Sequence, residues 1–260
     1  MVKNRQESPF PSHLHNINVI QLIRCHVDSP MVGTLPEPLS LHAPSGEADS
    51  RPVFGPRVRR LHARIGKAHR QAEGMAFSKA LLAGEGLPRQ LAVLISCLSP
   101  AYTLLENHAP SLATALGAPN LPWDQLRRSE ALRKDRETLA GVDAVCLESA
   151  AAADRWVTHL QGLASTSPHR FLAHAYVRYG GDLSGGQQLA EQANAILAAH
   201  QLPALTFWQF NRPVTELKRA FHTGFEELQL TPQQEEELLE EAVVAFHATQ
   251  SLLASLEELN

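Results

Sequence analysis

The run Phe171-Leu-Ala-His-Ala-Tyr-Val-Arg-Tyr-Gly-Gly-Asp-Leu-Ser-Gly-Gly-Gln-Gln-Leu189 governs how the rest of the chain is read. It reads as helix on both sides, yet Gly180, Gly181, Gly185 and Gly186 lie inside it. In a helix interior each glycine costs ~1 kcal/mol relative to alanine, about 4 kcal/mol for the four, so something must offset them. One reading is a turn between two helices. The other uses position. Gly181 and Gly185 are four apart and share a face, and without side chains they let a bent helix backbone lie directly on a flat ligand. Asp182, one step round, then points away from that ligand. Spacing alone leaves both readings open.

Outward from this run the signal is helical. Val58, Leu61, Ile65, Ala68, Ala72 and Met75 recur at steps of three and four and form one amphipathic stripe. Further helices are predicted at roughly 88–108, 121–138, 142–163, 168–199 and 212–228. The last helix opens cleanly, with Thr231 as N-cap, Pro232 at the first helical position and Gln234 closing a capping box. Leu238, Leu239, Ala242, Phe246 and Leu253 supply its buried face. Few runs alternate apolar and polar residues strictly, which argues against a substantial sheet. The reading is all-α: one helical domain over residues 57–260, with breaks at Gly84–Pro88, Ala109–Pro122 and Ala164–Pro168. No internal repeat of fixed period runs through it.

The first 56 residues differ. Eight of the 17 prolines fall between Pro9 and Pro56, mixed with Ser, Gly and His, so residues 1–56 read as a disordered N-terminal arm. Its one apolar island, Ile17–Ile23 with Val27, is read as a short strand or docking helix. The formal charge of −4 provides no basic field for a phosphate backbone, so nucleic acid is not an expected partner. Cys25, Cys97 and Cys146 lie far apart and form no CxxC, which suggests neither disulfides nor zinc and fits a reducing cytoplasm. No apolar stretch approaches the ~20 residues that span a bilayer.

A second element pairs with the glycine run. His69 sits about 40° from Ile65, within or beside the apolar stripe, and Glu73 follows at i+4. A lone histidine there is most simply a core or boundary residue. The pair adds chemistry, because a carboxylate one turn on can accept the Nδ1 proton and leave Nε2 free for a metal. Neutral imidazole is also a usual axial ligand of haem iron.

The segment Ala173-His-Ala-Tyr-Val-Arg-Tyr-Gly-Gly-Asp-Leu-Ser-Gly-Gly-Gln187 closely resembles the signature of the haem oxygenases. Ala68-His-Arg-Gln-Ala-Glu73 resembles their proximal-histidine segment. The likeness covers roughly residues 57 to 258, including Ala101-Tyr-Thr-Leu-Leu-Glu106 and Phe207-Trp-Gln-Phe210. It implies haem sandwiched between a proximal helix and a glycine-kinked distal one. It also implies an enzyme that takes haem as substrate and cofactor and opens its ring with O2 and electrons to give biliverdin, carbon monoxide and ferrous iron. His69 matches the iron ligand, with Glu73 orienting it, and Gly181 and Gly185 match the positions where distal backbone touches the porphyrin. Asp182 matches the distal aspartate that anchors a proton-delivering water network, in which Tyr102 and Arg178 also match.

The two haem propionates need cationic or hydroxyl partners. Tyr176 and Lys218 match such positions. His222 stands where relatives commonly carry Arg, and His62 and Gly66 stand where some carry Lys. These departures bear on propionate anchoring and on how the haem sits. Arg59, Arg60, Arg64 and Lys67 lie nearby as substitutes or as a solvated basic face. His174 is assigned to packing; His108, His159, His200 and His247 to surface or boundary positions; Cys97 and Cys146 to the core. With no dinucleotide fingerprint, the electrons are expected from a ferredoxin, flavodoxin or reductase. The chain lacks the apolar C-terminal tail of membrane-anchored relatives, so no membrane anchor is expected. A non-catalytic haem carrier or sensor on the same scaffold is the alternative, and a helical interaction module in which the glycines are only a turn is a third.

Overall fold

A computed structural model describes residues 54–142 and 146–259, so the expected N-terminal arm and its apolar island lie almost wholly outside the described residues. Helix α1 (Pro56–Glu73) starts behind an extended Gly55 with Pro at its first position, but no side chain of its own caps it. Glu226 supplies the cap from a distance: its carboxylate accepts the amides of Arg57 and Val58 at 3.1 and 2.7 Å. Val58, Leu61, Ile65 and Ala68 are buried, as the stripe predicts, and the helix stops at Gly74. Met75 therefore falls outside α1, at the N-cap of α2 (Ala76–Leu82).

Helix α3 (Pro88–Ala115) overruns the expected end at 108 and passes through Pro100 and Pro110. Ala109 and Ala113 are fully buried, so their packing holds the helix together beyond the amide that Pro110 lacks. It ends where Gly117 takes φ +83°, with Ala118 N bonding Ala113 O at 2.9 Å and Gly117 N bonding Thr114 O at 3.0 Å, a Schellman stop. The expected 121–138 helix is two: α4 (Trp123–Leu126) and α5 (Ser129–Thr138). Glu106 intervenes from α3, accepting the amides of Arg128 and Ser129. Helix α6 (Leu147–Thr166) runs through the expected break at Ala164 and stops at Ser167.

The glycine run resolves into α7 (Pro168–Asp182) and α8 (Gly186–Ala199), joined by Leu183–Gly185. The joint is a bend with helical backbone: Gly185 has φ −86° and ψ −16°, and its amide still bonds Gly181 O at 3.0 Å. Turn and bent helix are thus both present in one feature. Helix α9 (Val214–Glu226) follows, then α10 (Pro232–Leu256), whose Thr231–Gln234 capping box forms as read. No strand occurs among the described residues, and the fold is all-α. Helix α10 lies along α7 and α1, while α3 packs against α6, α5 and α7. None of the described helices is long and apolar enough to cross a membrane.

Candidate active site

Helix α7 carries two polar clusters of different character. Near its C-terminal end, Asp182 is 3% exposed and turned towards α3, where its carboxylate accepts the Tyr102 hydroxyl at 2.5 Å. Arg178, one turn before Asp182, donates from Nε and Nη2 to the same hydroxyl at 3.2 and 3.1 Å and lies 3.7 Å from Asp182 Oδ1. Burial pushes the Asp182 carboxyl up, against Arg178, the Tyr102 hydrogen bond and Arg128. The Tyr102 phenol is pushed well above its usual range, first by burial, with Arg178 opposing and Asp182 adding. Burial is the largest influence on Arg178 and works against its charge, yet Tyr102 and Asp182 outweigh it and the guanidinium stays firmly charged.

Motif reading gave no role to what surrounds this triad. Arg128 is buried, bonds the carbonyls of Leu126, Phe207 and Gln209, stacks 4.1 Å from the centroid of Phe210, and acts electrostatically on Asp182 and Tyr102. Tyr179 and Phe207 meet the Tyr102 ring edge-on at 5.6 and 5.3 Å. For Arg128, the only trace in the sequence is a single arginine within the expected 121–138 helix, indistinguishable by pattern from a surface residue.

Two turns earlier on α7 lies the second cluster. Tyr176 is 2% exposed, and its Oη has no hydrogen-bond partner among the described residues. His62 from α1 and His222 from α9 come within 6.3 and 6.1 Å of its ring, and 5.7 Å of each other. Phe54 meets both imidazoles edge-on at 4.8 and 5.0 Å. Burial above all, then Lys218 and His69, brings His62 down to about 4. Burial, His62 and Lys218 bring His222 down to about 3. Burial also lowers Lys218. The basic residues on the outer side of α1 are placed elsewhere: Arg60 and Arg64 pair with Glu235 and Glu236 of α10, and Arg59 bonds Phe54 O.

His69 lies on α1 with its side chain 33% exposed, Nδ1 3.5 Å from Glu73 Oε2 and its ring 5.7 Å from Phe246. No hydrogen bond among the described residues engages the ring, so Nε2 is free to act as a ligand. At the glycine bend, a Cβ built on Gly180, Gly181 or Gly185 meets nothing within 4 Å, whereas one built on Gly186 would come within 2.8 Å of the Trp208 side chain. Open space beside bare main chain, a free imidazole and an orphaned phenol suit a large planar ligand with polar edge groups.

A third cluster, centred on His174 one turn before Arg178, is structural. His159, His174 and Glu241 stand close enough to be weighed as cation ligands. Trp156 decides against it: its Nε1–H donates to His174 Nδ1 at 3.0 Å, so neutral His174 carries its proton on Nε2 and donates it to Glu241 at 2.9 Å. Arg170 and His159 complete the shell of that buried carboxylate. The packing role read for His174 is the one it fills.

With this geometry in view, the comparisons point one way. The family model described as Heme oxygenase matches residues 58–255. Heme oxygenase 1 of Bos taurus is 30% identical over 205 residues, covering 74% of this chain and 68% of that protein. The heme oxygenase of Porphyra purpurea is 26% identical over 197 residues, covering 75% and 82%. Among solved structures, heme oxygenase-2 from Synechocystis sp. PCC 6803 in complex with heme and NO aligns with a TM-score of 0.69 at 26% identity, over 78% of this chain and 86% of that one. The chain belongs to the haem oxygenase family.

Proposed function

We propose that this chain cleaves haem oxidatively to biliverdin, carbon monoxide and ferrous iron, with O2 and electrons supplied from outside, and that the residues above do so in defined roles. Haem, when bound, supplies both the iron at which O2 is activated and the ring that is opened. His69 would hold the iron through Nε2, and Glu73 lies where it can orient the imidazole through Nδ1. Gly181 and Gly185 admit the macrocycle because no side chain occupies the space beside them. Tyr176, His62, Lys218 and His222 form the pole that receives its carboxylates.

The observation that carries this reading is the Asp182–Tyr102–Arg178 triad, buried directly beside the glycine bend. Asp182 is held as an acceptor with one oxygen on Tyr102, and Arg178 balances its charge, so the carboxylate is fixed where it can order water and pass protons to the reacting face. A carrier needs no such group. The free thiols of Cys97 and Cys146 support a reducing, cytoplasmic setting. A ferredoxin, flavodoxin or reductase is the proposed donor.

The test is to reconstitute the protein with hemin, add a reductant and air, and follow the spectrum. Decay of the Soret band with growth of biliverdin absorption is the expected result. A stable oxygenated complex with no bilin would establish the carrier instead.

A further inference from the structure

We propose that a haem carboxylate seats between His62 and His222 and draws one proton onto that imidazole pair, so that this chain takes up haem and a proton together. The proposal rests on the haem-degrading reading of the site and specifies how its carboxylate pole works.

The pole is one-sided in charge. Helix α1 contributes His62, with His69 further along; α9 contributes Lys218 and His222; α7 contributes the unpartnered Tyr176 hydroxyl; and Phe54 packs against both imidazoles from ahead of α1. Among the described residues no ion pair joins His62, Lys218 or His222 to a carboxylate. The nearest acid on α9, Glu226, is engaged by the amides of Arg57 and Val58 and acts on Tyr176 only at a distance. Glu235 is held by Arg57. The cluster therefore has bases, a hydroxyl donor and no internal anion.

A carboxylate leaving water for this place needs compensating positive charge. Haem brings two carboxylates, and the pole holds one lysine. The second charge has to come from an imidazole, which alone among these groups changes charge readily near neutral pH. Burial first, with Lys218 adding, brings His62 down to about 4 and His222 down to about 3, so both rings are neutral near pH 7. A bound carboxylate reverses that preference, because an adjacent negative charge favours the protonated ring. The sign follows from linkage: between the low free-state values and the raised bound-state value, binding consumes a proton and affinity falls as pH rises, by up to about tenfold per pH unit. An Arg at these positions carries its charge permanently and gives no such dependence.

The experiment is calorimetric titration of the full apoprotein with hemin at pH 7 in two buffers of different ionisation enthalpy, which counts protons exchanged per hemin bound. Hemin dimethyl ester, which keeps the iron and ring but lacks the carboxylate charges, is the comparison ligand on the unaltered chain. The expected result is close to one more proton taken up with hemin than with the ester, and a hemin affinity that weakens from pH 6 to pH 8. The variant His222→Arg should lower the uptake and flatten the pH dependence. Equal proton counts for hemin and its ester overturn the proposal while leaving the enzyme reading intact. Failure of both ligands to bind overturns the reading beneath it as well.

Discussion

The two polar clusters of the candidate site on α7 are each built around a buried residue of that helix, Asp182 or Tyr176, and they differ in whether they are complete. Asp182, Tyr102 and Arg178 satisfy one another: an acid, a hydroxyl and a permanent cation within hydrogen-bonding reach. Two turns away, His62, His222, Lys218 and Tyr176 gather bases and a hydroxyl that, among the described residues, has no partner and no acid paired with it. Buried polar groups without partners are rare because each costs about 1–3 kcal/mol. The contrast separates machinery that is preorganised from a seat that a ligand completes. A fixed relay has its geometry before the substrate arrives; an anion seat has its missing half on the substrate.

This difference predicts opposite responses to mutation. Asp182→Asn should leave hemin binding nearly intact and lower the rate of ring opening by roughly 10²–10⁴-fold, the range expected for loss of a positioned proton-transfer group; single-turnover kinetics under air would measure it. Undiminished bilin yield would remove Asp182 from the relay. Gly181→Leu fills space that is open in the structure, so the apoprotein should melt no lower than the parent while hemin affinity falls by about tenfold or more. A large loss of apoprotein stability would show instead that the glycine serves packing.

Much of this was legible from the chain and some was not. The α1 stripe and the α10 capping box depend on residues within a few positions of one another: the capping box forms as read, and the stripe holds from Val58 to Ala68 before the helix stops short of Met75. The glycine bend was recognisable, but its compromise between turn and helix was not, because local spacing does not report backbone angles. Helix α3 was read short. The break expected at Ala109–Pro122 ends it at 108, whereas burial of Ala109 and Ala113 carries the helix to a Schellman turn that Gly117 announces. The least legible features are held by partners distant in sequence. Glu106 splits the expected 121–138 helix by accepting the amides at residues 128 and 129. Glu226 caps α1 from 168 positions away. Resemblance pointed to His62 and His222 separately, and only the fold shows that they form one cluster without an acid.

The smallest predicted effect sharpens the comparison at the seat. Tyr176→Phe removes the hydroxyl that lacks a partner, so apoprotein stability should hold or rise by about 1 kcal/mol. Hemin affinity should fall roughly two- to tenfold if the ligand was to be that partner. Thermal melts with and without hemin separate the two terms, and a variant that loses stability without hemin would place a hidden partner at Tyr176.

The central claim, that His69 binds the iron across from the glycine bend, is tested most directly by the spectrum of the hemin complex of His69→Ala with and without added imidazole. The account predicts that the histidine-ligated signature disappears in the variant and returns when free imidazole fills the space left by the side chain. A spectrum identical to the parent's without imidazole would contradict it, because another residue would then hold the iron.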